Sequence, residues 1–202
     1  MPTIDPSIEF FITSLQSLGA SESSLNAIRE KVQVIPVKSN ELLLRPGKIC
    51  THVYFVLKGG FVCRYINDEL EVEKTINFYL DDFHPFMACV DSYFTQSPTQ
   101  CELRAITDSV VLAMPKKWID ELIQNDPHLQ SFYETLVITA LVEENDLKLK
   151  IIAYPSERLY AYLQQHFLSV IQKVPSKYIA ELMGITPEWL SKIRRKTANG
   201  RR

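Results

Sequence analysis

The sequence predicts an α+β chain: short β-strands closed into a sandwich or barrel, then one long helix, then a compact helical end. Three observations carry that expectation. Short apolar runs bounded by Pro, Gly and Asn fill residues 32–114. After Pro115 the apolar period turns helical and stays so. Basic charge then concentrates at the far end, where residues 173–202 hold eight Lys/Arg against Glu181 and Glu188, a balance of +6 in a chain whose net charge is −2. Everything before Lys173 therefore sums to −8, and a basic end on an acidic body suits a polyanionic partner at that end only.

At 202 residues, with 46% apolar and 23% charged residues, the composition is that of a globular protein of one or two domains. No apolar run approaches the roughly 18–20 residues of a membrane span. The start, MPTIDPSIEFFITSL, lacks the basic n-region and cleavage site of a signal peptide, so the chain reads as cytoplasmic and free of the membrane. Cys50, Cys63, Cys89 and Cys101 are scattered, with no CxxC pair, and read as reduced core thiols.

The elements follow in order. Ile8, Phe11, Ile12, Leu15 and Leu18 recur at helical spacing, Gly19 breaks the run, and Ser21 or Ser23 caps a second helix through Leu25 and Ile28. Val32–Val37, Leu42–Leu44 and Val53–Leu57 are strand-like. Lys58-Gly59-Gly60 between VYFVL and FVCRYI signals a hairpin, because glycine accepts the positive φ of tight turns. Glu73–Leu80, Cys101–Thr107 and Val110–Met114 complete the β-region.

Pro115–Asn125 predicts a short amphipathic helix ended by Asn-Asp-Pro. From Pro127 to about Ala153 nothing breaks the helix, and Leu129, Phe132, Tyr133, Leu136, Val137, Ala140, Leu141, Leu147 and Ile151 form one stripe. About 25 helical residues span roughly 37 Å. Such a helix packs on its own barrel or pairs with a second copy, and pairing is the favoured expectation. Tyr154-Pro155-Ser156 breaks it and marks a hinge or boundary, after which Ser156–Val170 forms a helix burying Leu159, Leu163 and Phe167. The expected domains are 1–126, 127–153 and 154–202.

The most informative stretch is VPSKYIAELMGITPEWLSKIRRK, residues 174–196. Ser176 caps one helix, Gly184 closes it in the left-handed conformation, Thr186 caps the next and Pro187 occupies its first turn. Ile179, Leu182, Ile185, Leu190 and Ile193 are spaced as a shared core, and Ala180 allows close approach. This is the helix-turn-helix pattern, whose second helix enters the major groove of DNA. Glu188, Ser191, Lys192, Arg194 and Arg195 then face outward; such residues read base edges or neutralise phosphates.

Two motifs, LLLRPGKICTHVYFVLKGGFVCRY (42–65) and KYIAELMGITPEWLSKIRRK (177–196), give the chain its resemblance to the cyclic-AMP receptor protein/fumarate-nitrate regulator (Crp/Fnr) family, in the branch with a short C-terminal domain. The resemblance implies a jelly-roll, cyclic-nucleotide-binding-like barrel, a dimerisation helix over about 127–152, and a transcriptional regulator bound to a palindromic operator. Its implied partners are double-stranded DNA, a second copy of itself and RNA polymerase. Ser176, Lys177, Thr186, Glu188, Ser191, Lys192, Arg194 and Arg195 become the DNA-contacting set. Pro187 stands where many members carry arginine, so the family's preferred site does not transfer.

Members that bind cyclic AMP use a Gly-Glu pair, a short helix and an Arg-Ser or Arg-Thr pair. The matching window, YLDDFHPFMACVDSYFTQSPTQCELRA (79–105), has no glycine, carries Asp81, Asp82 and Asp91, and holds only Arg104. Cyclic AMP is therefore not the expected effector. The expected pocket, for a less anionic and unidentified small molecule, comprises Arg64, Phe78, Phe83, His84, Phe86, Tyr93 and Arg104, with Phe94 nearby; plain barrel core is the competing reading of these aromatics. Iron–sulfur ligation lacks clustered cysteines, and no metal or other cofactor is expected. Haem ligation by His52 or His84 stays open, although a lone histidine is ordinarily a hydrogen-bonded structural residue. No nucleophile motif or phosphate-cradling loop points to an enzyme. Two alternatives remain: a barrel module whose helices serve assembly, and a regulator without an effector, set by its own abundance.

Overall fold

The computed structural model describes residues 6–199; the first five and last three residues, including the basic Arg201 and Arg202, lie outside the described residues. Helices α1 (Pro6–Ser17) and α2 (Glu22–Lys31) precede eight strands: β1 (Gln33–Val37), β2 (Leu42–Leu44), β3 (His52–Lys58), β4 (Gly60–Asn67), β5 (Val72–Leu80), β6 (Phe86–Met87), β7 (Cys101–Ala105) and β8 (Ser109–Pro115). A short helix, α3 (Val90–Thr95), interrupts them after β6. The strands form two antiparallel sheets, β1-β8-β3-β6 and β2-β7-β4-β5, facing each other as a jelly roll.

The Gly59-Gly60 turn is a corner, not the hairpin expected. Strands β3 and β4 lie in different sheets, and β4 pairs instead with β5 through the Asn67–Val72 turn. Gly59 has φ +85°, and a Cβ on Gly60 would collide with Leu80, so the chain changes sheets where no side chain fits. The barrel interior is a closed core around Phe61, Tyr79, Met87, Leu103 and Val111, and the four cysteines, dispersed in sequence, all converge there as free buried thiols.

The helical half begins with α4 (Lys116–Asn125) and α5 (Pro127–Ala153). Asp126 starts α5: its carboxylate accepts the N–H groups of His128 and Leu129, and also Ser21 N–H at 2.9 Å and Ser24 Oγ–H at 2.7 Å. One buried residue thus caps α5 and ties it to α2, whose own cap is Ser21.

The stripe predicted on α5 is largely used by the protein itself. Leu129 is buried in a cluster joined by Phe132, while Leu147 and Ile151 join helices from the C-terminal end. Leu141, expected in that stripe, is instead exposed with Ile138, Val142, Leu149 and Ile152, all 53–73% exposed. The helix is apolar on two sides.

Tyr154-Pro155 ends α5 as predicted. The single helix expected over 156–170 instead breaks at buried Phe167 into α6 (Ser156–His166) and α7 (Leu168–Lys173), and α8 (Ser176–Met183) and α9 (Pro187–Asn199) follow. The apolar core continues past the break: Val62, Phe78 and Leu80, on the outer face of the β4–β5 sheet, pack into one cluster with Leu159, Leu163, Val170, Ile179, Leu182, Leu190 and Ile193. No helix among the described residues is long and apolar enough to cross a membrane.

Candidate nucleic-acid interface and effector cavity

Helices α8 and α9 are joined by the turn the sequence describes. Gly184 is left-handed (φ +66°) and donates to the carbonyls of Ala180 and Glu181. Thr186 Oγ1 accepts the Trp189 N–H at 3.2 Å, which caps α9 behind Pro187. Ile179, Ala180, Leu182, Leu190 and Ile193 are buried between the helices, and Ile185 is half-buried.

Ser176, Lys177, Thr186, Glu188, Ser191, Lys192 and Arg195 are all exposed. Glu188 is held below the ordinary carboxylate pKa by its own backbone N–H and by the Thr186 hydroxyl, so it faces solvent charged at neutral pH. Two residues depart from expectation. Ser176 is the first helical residue of α8 and makes no cap; Pro175 takes that position. Arg194 turns away from the outward set: its Nη1 donates to Ser176 Oγ at 2.7 Å and its guanidinium lies over the Tyr160 ring. The bond to Ser176 fastens α9 to α8, while Nε and Nη2 are buried without a hydrogen-bond partner. Trp189, passed over in the sequence, is 42% exposed beside Glu188, with the Lys192 ammonium 5.8 Å from its ring. The available signal was its position off the Leu190/Ile193 core spacing.

A cavity of about 170 Å³ lies between the barrel and α5. His84, Phe86, Tyr93 and Phe94 line it as expected, joined by Tyr79, Asn77, Glu143 and Glu144. The other four predicted pocket residues are elsewhere. Phe78 is in the core shared with α6–α9, and Phe83 stacks on His84 while packing against Phe167. Arg64 and Arg104 share the Glu102 carboxylate on the sheet's outer face. In a strand with both faces buried, alternation alone does not say which face points inward.

The cavity wall holds two carboxylates and no Lys or Arg. His84 Nε2 lies 3.1 Å from Glu143, Asn77 Nδ2 donates to Glu144 at 2.8 Å, and α3 carries Asp91 in its first turn. A cyclic phosphate needs amides and a cation; the residues present do not fit one. His52 Nδ1 lies 2.9 Å from the Thr51 hydroxyl, and among the described residues no cluster of His, Cys, Asp or Glu is arranged to hold a metal.

Residues 34–126 match the model of the cyclic nucleotide-binding domain family. The matched stretch, 46% of the chain, covers the barrel from β1 to α4, and that barrel is similar to the domains of this family. Curated proteins give no sequence match. Solved structures share the fold well beyond the cyclic nucleotide-binding domain. FixK2 from Bradyrhizobium japonicum superposes with a TM-score of 0.68 at 14% identity, over 84% of this chain and 85% of that one. A cyclic nucleotide-binding domain containing protein from Listeria monocytogenes reaches 0.67 at 13% identity, over 96% and 91%. A transcriptional regulator of the Crp/Fnr family from Eubacterium rectale reaches 0.64 at 16%, over 89% and 84%. The chain thus has the Crp/Fnr architecture: jelly-roll barrel, long helix and further helices, as the sequence predicted.

Proposed function

We propose that this chain is a sequence-specific DNA-binding transcriptional regulator acting as a homodimer on a palindromic operator. The observation that carries the reading is the face of α9: Glu188, Trp189, Ser191, Lys192 and Arg195 stand exposed together on a helix whose cap, turn and core are internally complete. Lys192 and Glu188 are the base readers, Trp189 offers an apolar surface to a thymine methyl, and Lys177 and Arg195 neutralise phosphates. Arg194 acts indirectly, by holding α9 against Ser176. The exposed set on α5 supports pairing: Ile138, Val142, Leu149 and Ile152 follow a 4-7-3 spacing with Asn145 between, the seam of a two-stranded coiled coil. Two reading heads then address half-sites about 34 Å apart, with RNA polymerase as a further partner. The cavity beside α5, with its two acids, suits a small neutral or cationic effector rather than a cyclic nucleotide.

Selection of random duplex DNA on the purified protein, with binding followed against salt, tests this. An enriched palindrome and a log K falling by about 0.9 per phosphate contact against log salt are expected. One observation favours a second reading, in which the helical end serves assembly: α6–α9 cover Val62, Phe78 and Leu80, which the barrel alone would leave bare. Absence of both enrichment and salt dependence would favour that reading.

A further inference from the structure

Between the barrel and the first helix of the helix-turn-helix lies a partly buried ionic network. Arg64, on β4 and 8% exposed, is its centre. Its Nε and Nη2 donate to the Glu181 carboxylate of α8 at 3.2 and 3.4 Å, its Nη1 to Glu102 of β7 at 3.1 Å, and its Nη2 also to Glu73 of β5 at 2.5 Å. Thr75 Oγ–H adds a bond to Glu181 at 2.8 Å, and the Tyr178 ring of α8 lies 5.6 Å from the guanidinium carbon. The β4–β5 register skips Ile76, which brings Thr75 opposite Arg64. Burial works against the Arg64 charge, yet the bonds to Glu73 and Glu181 outweigh it and raise its pKa. Three carboxylates meet here around Arg64 and Arg104, so without Arg64 they would repel one another.

The apolar contacts of Val62, Phe78 and Leu80 with α6–α8 are non-directional and tolerate sliding. A multidentate network does not; its geometry fixes one orientation. We infer that Arg64 and Glu181 are positioning residues that set the angle of the helix-turn-helix on the barrel, and hence the separation of the two recognition helices in the dimer. The inference rests on the DNA-binding reading. It places control of the reading heads on the barrel's outer sheet, beside an open groove walled by Thr75, Glu181 and Gly184.

The test compares the full-length protein with Glu181→Gln and, as a milder change that leaves every charge in place, Thr75→Val. Affinity is measured for the selected palindrome and for versions with half-sites moved apart or together by single base pairs, alongside hydrogen exchange of α8 amides. The wild type should prefer one spacing, and Glu181→Gln should reduce that preference on the order of tenfold while single half-site binding holds. Exchange in α8 should quicken, and Thr75→Val should shift both readouts in the same direction by less. A wild-type spacing profile in a folded Glu181→Gln protein would overturn the inference, even with a lowered Tm. If no DNA is selected at all, the DNA reading fails, and unchanged α8 exchange would separately overturn the network as an orienting device.

Discussion

The two faces of the β2-β7-β4-β5 sheet, the inner one buried and the outer one partly so, are built differently. Inward, Phe61, Cys63, Tyr79, Leu103 and Ala105 close the barrel with apolar side chains and thiols. Outward, Val62, Phe78 and Leu80 are covered by the C-terminal helices, beside Arg64, Glu102 and Arg104 and the more exposed Glu73. The inner face holds the barrel closed by shape alone. The outer face must also specify how another unit sits, and directional bonds do that where dispersion does not.

The largest expected effect compares one leucine from each face. Leu103→Ala and Leu80→Ala remove equal volumes from fully buried sites, each destabilising by about 2–5 kcal/mol. Leu103→Ala should lower the unfolding transition of the barrel. Leu80→Ala should first release the helical end, seen as proteolysis near residues 154–156 below the barrel's Tm. Simultaneous loss of both in Leu80→Ala would break the comparison and make the molecule one cooperative unit.

Next comes the exposed seam of α5. Val142→Glu should convert a dimer to a monomer in sedimentation at micromolar concentration, with the far-UV spectrum unchanged. A dimer that survives would remove α5 as the pairing element.

Asp126 offers a contrasting buried charge, satisfied within one region by four donors. Burial tends to raise its pKa, but the bonds from Ser21, Ser24 and Leu129 overcome this and hold it well below the ordinary carboxylate value. Its stabilisation is therefore complete above an unfolded pKa near 4 and is lost as pH falls through the folded value. Asp126→Ala should destabilise by roughly 2–3 kcal/mol at pH 7. The Tm gap to wild type should narrow as the pH falls below about 4; a constant gap would mean the charge contributes nothing.

The smallest effects lie on α9. Lys192→Ala should relax base preference at one position by about 1–3 kcal/mol, whereas Arg195→Ala should weaken all duplexes alike and reduce the salt slope by about one contact. An unchanged preference in Lys192→Ala would move the reading face towards Trp189.

Legibility followed the range of the interactions. The α8–Gly184–α9 turn was readable because cap, left-handed glycine and core spacing all lie within one short segment. Strands bounded by Pro and Gly were readable for the same reason. Residues β6 and α3 gave too short a period to detect, and the corner at Gly60 is decided by Leu80 and Ser109, distant in sequence. The pocket was half legible: His84, Phe86 and Tyr93 line the cavity, while Arg64 and Arg104 lie on the other side of their sheet. That assignment depends on a helix more than a hundred residues away, through the Arg64–Glu181 bond.

The two-sided α5 carries a quantitative consequence. One side is satisfied on folding, and the other, Ile138 through Ile152, is exposed in the single chain. For the proposed dimer, the active species then grows with the square of protein concentration while pairing is incomplete. A twofold change in synthesis would yield a nearly fourfold change in operator-competent protein, which makes the rate at which the cell produces this chain a steep control input in its own right.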